Sequence, residues 1–419
     1  MMVEKQSLIK SLGASRKNLF AIIFLLLNAL TWLFATLQVI DYFLKSLETS
    51  ISQNILVLGT YYLTIVFSSF CGVFFSLTTT RRNVLLIWIV SGIVFSFAPF
   101  MLIDKSIEML TIVSFLLGSS FGFGMPSCLS YFADLTVFEN RGHLGGLIFF
   151  LASICAAIFT IFYSITQSLS IMLLSLVIWR CLSLVVLELT DIERIERKER
   201  QPTPFKRVFE TKGLLLYLLP WLMFGLVDSF EKAYLQGYIL TSFGQDFFSI
   251  NQLIETVIGA ISALIAGVIA DLIGRKRVIV YGFVSLGLAY AMIGVAPFLR
   301  LAWRLYAVID GVAWGIFIVM FTLVVWGDLS PKDVLREKYY VIGSIPLFGS
   351  RFISVLFLSY TETLPKESAY AAFSLAAFFL FIAVIPLMYA PETLPEKKIK
   401  ERELKKYIEK AKKVKEKYG

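Results

Sequence analysis

The sequence predicts an all-α membrane protein with twelve transmembrane helices. Three observations carry this. Hydrophobic residues make up 58% of the chain and charged residues only 16%, against about 25% charged in a typical soluble domain. The apolar residues gather in runs of about 20 or more, long enough to cross a hydrocarbon layer as helices. The runs are continuous rather than alternating, which selects helices over a closed barrel, the other structure that satisfies every backbone polar group in lipid.

In chain order the runs are 18–45, 53–78, 83–103, 108–133, 144–165, 168–189, 213–240, 250–271, 278–298, 301–327, 337–360 and 368–390. The first lacks a small-residue cleavage site after a short apolar region, so it is read as a retained helix and not a signal peptide. Short loops join the runs except near 190–212, where Glu, Lys and Arg surround Gln201-Pro202-Thr203-Pro204. That break divides the chain into a six-helix bundle (1–189), a cytoplasmic linker (190–212), a second six-helix bundle (213–391) and a basic tail (392–419). In the tail, Leu404, Tyr407, Ile408, Ala411 and Val414 fall at helical spacing among lysines. That pattern fits either a solvated charged helix or one lying on an anionic inner leaflet.

The net charge of +9 is explained by its distribution and does not point to nucleic acid. Thirty-one basic residues fall on the side of the termini and of every second loop. The opposite loops and helix mouths hold five: Lys45, Lys105, Arg300, Arg304 and Lys366. By the positive-inside rule both termini are cytoplasmic, and the expected location is the plasma membrane. The four cysteines, Cys71, Cys128, Cys155 and Cys181, stand singly in apolar runs, and His143 is the single histidine. No disulfide, cofactor or metal site is expected from them.

One stretch organises the chain: Gly267-Val-Ile-Ala-Asp-Leu-Ile-Gly-Arg-Lys-Arg277, between two apolar runs. Asp271 ends a helix, Gly274 permits a turn with positive φ, and Arg275, Lys276 and Arg277 hold the loop inside. The stretch resembles the signature loop of the major facilitator superfamily, G-x-L-A-D-R-x-G-R-K-x-x-L. Gly267, Ala270, Asp271, Gly274, Arg275 and Lys276 match, Ile269 and Ile279 match with aliphatic swaps, and Leu272 stands where the family has a basic residue. A degraded copy lies about 195 residues earlier, with Gly72 facing Gly267 and Arg81–Arg82 facing Lys276–Arg277. Ala133-Asp134-Leu135 with Arg141 mirrors Gly327-Asp328-Leu329 with Arg336. The resemblance implies two pseudo-symmetric six-helix bundles, a solute site between them near the bilayer midplane, and a moving inner gate. It further implies a cytoplasmic ion-pair latch drawn from Asp134, Arg141, Asp328 and Arg336 with Asp271, Arg275, Arg81 and Arg82. The exit Pro391-Glu392-Thr393 resembles that of the family's sugar porters.

Charges at membrane depth are costly and sit in cavities or pairs. The seventh run holds the densest group, Asp228, Glu231 and Lys232, at spacings of three and four on one helical face. This group reads as a proton-titrating carboxylate site or as a structural ion pair. Asp310 and Arg351, on runs that line the family's cavity, pair with each other or with that group. Glu255 and Asp41 are read as mouth residues or site residues. Arg180 snorkels or pairs structurally. Trp32 with Asn28 on the first run, and Trp314 on the tenth, are candidate lining residues, since indoles stack on solutes and amides hydrogen-bond them. Small residues at four-residue spacing, Gly118/Gly122, Gly259/Ala263/Gly267 and Gly311/Gly315, permit close helix contact.

Absences narrow the class. Proton-coupled drug exporters of the family carry an Arg where Ser114 stands and a Gly-Pro pair in the fifth helix, where 144–165 has no Pro. No G-x-x-x-x-G-K-[ST] motif is present, which argues against an ATP motor, and no nucleophile–base pair suggests an enzyme. The preferred expectation is proton-coupled symport of a small metabolite, a sugar or an organic acid, by alternating access. The alternatives are an uncoupled facilitator or exporter and a non-transporting sensor or scaffold.

Overall fold

The structure is a computed structural model that describes residues 2–104, 106–189, 204–331, 334–361 and 368–394. The side chains of 2–15, 102–104, 232–233, 358–361 and 368–370 lie outside that description. So do most of the expected linker and the basic tail beyond 394.

Among the described residues, eleven helices are long and apolar enough to cross a membrane. In the first half they are α1 (Met2–Ser46), α2 (Ile51–Thr78), α3 (Arg81–Ser96), α4 (Ile107–Leu135), α5 (Arg141–Thr166) and α6 (Leu169–Glu188). In the second they are α8 (Gln245–Ile273), α9 (Arg275–Val295), α10 (Arg300–Leu329), α11 (Arg336–Thr361) and α12 (Ala371–Tyr389). The twelfth, α7, is interrupted. Leu214–Phe230 passes through a π-helical turn at Glu231–Leu235 into Gln236–Phe243. The expected unbroken helix over 213–240 is therefore corrected: the wider turn inserts where two charges follow Phe230, and such bulges gather at functional sites. A second π-helical turn, Met320–Val324, interrupts α10.

Local chemistry starts these helices. Ser50 and Gln53 form a reciprocal capping box on α2. Thr80, Ser106 and Ser168 accept backbone N–H bonds at the starts of α3, α4 and α6. Between α8 and α9 the chain turns on Gly274 at φ 108°, which L side chains rarely adopt.

Large apolar side chains such as Phe20, Phe67, Ile165 and Val295 point outward and are more than half exposed. In lipid this surface is solvated, so the outer shell obeys a rule opposite to that of a soluble protein. Inside the second half, Trp221 stacks on Phe321 at 4.8 Å and Phe224 meets Phe317 at 4.6 Å. Helices approach where side chains are missing. A Cβ on Gly315 would lie 2.6 Å from the Gly259 carbonyl oxygen, so α8 and α10 touch through backbone. Across the halves, a Cβ on Gly142 would lie 2.6 Å from the Gly267 carbonyl, which brings the start of α5 onto the end of α8. The halves thus meet tightly at the end that carries the gate loop.

Candidate transport site and gate

The candidate gate residues lie at helix ends. Asp271, at the end of α8, accepts the backbone N–H groups of Gly142 at 3.0 Å and His143 at 2.7 Å. These belong to the first turn of α5, where the helix dipole favours an anion. Arg275 lies 2.7 Å from Asp271 and 3.2 Å from Asp328, and donates to the Ala270 carbonyl at 2.8 Å. It also reaches the Phe138 carbonyl across the interface. Arg141 closes the set by pairing with Asp328 from the other half. Its remaining donors go to Thr136 Oγ1, the Thr136 carbonyl and the Ala133 carbonyl. Asp328 thus lies between one arginine of each half.

The same figure recurs on the opposite side. Asp134 lies between Arg81, at 2.8 Å, and Arg336 of the other half. Arg81 also reaches Glu337 at 3.4 Å. The two figures differ in water access: the Asp328 and Arg275 side chains are 0% exposed and that of Asp134 is 34% exposed. The Asp328 set is therefore not a group of weak aqueous pairs. It is dry, and removal of Asp328 leaves Arg141 a buried charge without its carboxylate.

Arg82, expected in the latch, and Lys276, expected in the gate loop, make other contacts. Arg82 pairs with Glu188 of α6 at 2.8 Å, within its own half. The Lys276 ammonium donates to the Ala390 and Met388 carbonyls at 2.9 and 3.2 Å and so ties α9 to the end of α12. Glu392 accepts the backbone N–H groups of Arg275 at 2.8 Å and Lys276 at 3.2 Å, and Thr393 donates to Asp328 at 3.3 Å. The Pro-Glu-Thr exit thus caps α9 and bonds the buried gate carboxylate. Glu337 and Glu392 join these contacts unmarked by the sequence, because a lone Glu at a helix end carries no signal of what it faces.

Between the halves lies a cavity of about 340 Å³ with walls from α1, α2, α4, α5, α8, α10 and α11, within the size range of small-molecule sites. Its lining is mostly aliphatic and aromatic, and among the described residues only Arg351 and Glu255 bring charge to it. Arg351 Nη1 lies 2.9 Å from Asp228 Oδ2, and its guanidinium lies over the Trp314 ring at 5.2 Å. Trp314 also hydrogen-bonds Asp228. Of the expected site residues, the fold therefore brings Asp228, Arg351 and Trp314 together at the cavity.

Glu231 goes elsewhere. Carboxylate oxygens of Glu231, Glu255 and Asp310 all lie within 4.8 Å of one another. Tyr290 donates to Glu231 at 3.1 Å. Asp310 accordingly joins Glu231 and Glu255, not Arg351. The Lys232 side chain lies outside the described residues. The expectation of no metal site rested on Cys and His spacing; a carboxylate set drawn from three helices has no such spacing.

Trp32 and Asn28 do not line the cavity. Trp32 donates to Ser96 at 2.8 Å. Asn28 donates to the Trp179 carbonyl at 2.6 Å and accepts from Arg180 at 3.2 Å. Arg180 does not snorkel: it is fully buried, 4.4 Å from the Trp88 ring centre and 5.4 Å from that of Trp32. The aromatic faces hold the cation. Asp41 pairs with Lys45 at an exposed helix end.

The family profile described as Major Facilitator Superfamily matches residues 19–335. No curated protein sequence matches the chain. Among solved structures, the chain is similar to the proton:xylose symporter XylE bound to 6-bromo-6-deoxy-D-glucose, with TM-score 0.67 and 15% identity, covering 91% of this chain and 97% of that one. It is similar also to the human organic anion transporter MFSD10 (TETRAN), with TM-score 0.61 and 13% identity, covering 89% and 99%. At these identities the likeness is one of fold, and the family match, the gate loop and the cavity between two helical halves agree with it. The chain belongs to the Major Facilitator Superfamily, as a multi-pass membrane transporter and not an enzyme.

Proposed function

We propose that the chain is a secondary active transporter that moves a small organic anion with an apolar body, coupled to protons by alternating access. The observation that carries this reading is the Arg351–Asp228 pair at the wall of an otherwise apolar cavity. A carboxylate solute competes with Asp228 for the guanidinium. When Asp228 takes a proton it releases Arg351, which then holds the anionic group of the solute. Proton and solute therefore load together, and the released pair re-forms when both leave. The aliphatic and aromatic walls take up the solute's apolar part by burial. A sugar suits the cavity less well, because no Asn or Gln stands among its described lining residues.

The basic end of the bundle faces the cytoplasm on the positive-inside argument, in the plasma membrane. The ion pairs at that end then form an inner latch that holds while the cavity loads from outside and breaks when it opens inward. Purified protein in proteoliposomes, given an inward proton gradient, is expected to accumulate an aryl or branched aliphatic carboxylate and not its uncharged amide. Equal uptake of acid and amide, or accumulation that ignores the gradient, refutes the reading.

A further inference from the structure

Two opposite charges face the central cavity and do not meet. Arg351 reaches it from α11 and Glu255 from α8. Glu255 lies ten residues after the start of α8, and Arg351 ten residues before the end of α11. The two helices run in opposite directions, since α8 stops at Ile273 beside the gate loop and α11 starts at Arg336 of the second ion-pair figure. Both charges therefore stand at one depth, about 15 Å along their helices from the end opposite the gate, at 1.5 Å per residue. Among the described residues no ion pair joins them, and the carboxylate that Arg351 meets is that of Asp228, at 2.9 Å.

Glu255 is held from behind. It hydrogen-bonds Asp310, which is buried and does not line the cavity. In the small adjoining cavity that Glu255 also borders, no basic residue stands among the described lining residues. This wall of the solute space thus favours a cation, while Arg351 favours an anion. A charge facing an apolar space is costly unless a group of opposite sign answers it. A solute that carries only a carboxylate answers Arg351 and leaves Glu255 unanswered. Trp314, Phe121 and Phe348 on the remaining wall suit an aromatic or branched body.

Building on the carboxylate reading above, we propose that the solute is a zwitterion with an apolar body, its carboxylate on Arg351 and its ammonium group on Glu255. The molecule lies across the cavity at one depth. Glu255 then selects an amino acid over the simple acid of the same shape, because electrostatic complementarity at both ends sets specificity.

The test uses the purified full chain in proteoliposomes with an inward proton gradient, and four probes that share one ring. Phenylpropanoate carries the carboxylate alone and phenethylamine the amine alone. Phenylalanine carries both side by side, and para-aminomethyl phenylpropanoate carries them at opposite ends. In wild type at least one zwitterion is expected to exceed phenylpropanoate in kcat/KM by about tenfold or more, the gain of one hydrogen bond to a charged group. Phenethylamine is not expected to accumulate. Glu255→Gln is expected to cancel the preference and Glu255→Asp to keep most of it. If Glu255→Gln fails to fold, the wild-type ratios decide. Phenylpropanoate taken up as well as both zwitterions, or a preference that survives Glu255→Gln, overturns the proposal and leaves the carboxylate reading standing. Accumulation of none of the three carboxylates removes both.

Discussion

Arg351 of α11 and Asp228 of α7 stand 2.9 Å apart, with Arg351 on the cavity wall and Asp228 3% exposed behind it. The pair joins two helices of the same half, so it is not part of the gate. On the proposed reading it is a charge switch beside the solute space: paired, it is neutral and closed to an anion, and parted by a proton, it presents a cation.

If the pair couples protons, Asp228→Asn keeps the shape and removes the titration. Accumulation driven by a pH gradient is expected to fall by about tenfold or more, while solute counterflow persists. Uptake assays with and without the gradient check this. A variant that still concentrates solute against its gradient removes Asp228 from the coupling role.

At the gate, two aspartates are expected to differ in kind. Asp271→Asn keeps one oxygen for the Gly142 and His143 N–H groups, so the protein should insert and fold while transport falls. Asp328→Asn leaves Arg141 and Arg275 without their shared carboxylate in a dry site, and is expected to cost about 3–5 kcal/mol. Thermal unfolding in detergent separates the two. Equal melting temperatures for both variants contradict the assignment of Asp328 as the buried centre.

The α9 cap yields a smaller effect. Glu392→Ala removes the acceptor of two backbone N–H groups at the start of α9, and is expected to destabilise by about 1 kcal/mol. Glu392→Gln retains an acceptor oxygen and should recover part of that loss. Melting curves of the two variants check the order.

Close contact between the halves gives a steric test. Gly142→Val places branched carbons against the Gly267 carbonyl and the Asp271 carboxylate. The inner latch cannot then close, and the outward-open population is expected to shrink. Accessibility of a cysteine placed at cavity residue Ser344 to a membrane-impermeant thiol reagent from each side reads this. An unchanged labelling pattern shows that the α5–α8 contact does not set the closed state.

The sequence alone determined the number of spans and the glycine-bounded loop at Asp271, and it carried the expectation of sidedness. These follow from local chemistry: run length against lipid thickness, lysine and arginine counts by loop, and a glycine-bounded turn next to Asp271. Paired repeats also pointed to Asp134, Arg141, Asp328 and Arg336, because pseudo-symmetry leaves its mark at a fixed spacing. The tertiary structure decided which charges meet. A spacing of three or four on an ideal helix puts Asp228 and Glu231 on one face, yet the π-helical turn parts them, one to Arg351 and the other to Glu255 and Asp310. Trp32 and Asn28 looked like lining residues because a transmembrane helix shows no polar side, and only packing reveals which face meets Ser96, Trp179 and Arg180. Arg180 and Glu255 could not be placed from the chain for the same reason. In a membrane bundle nearly every position is apolar, so periodicity does not mark the inward face, and neighbours hundreds of residues apart set the role of each buried charge.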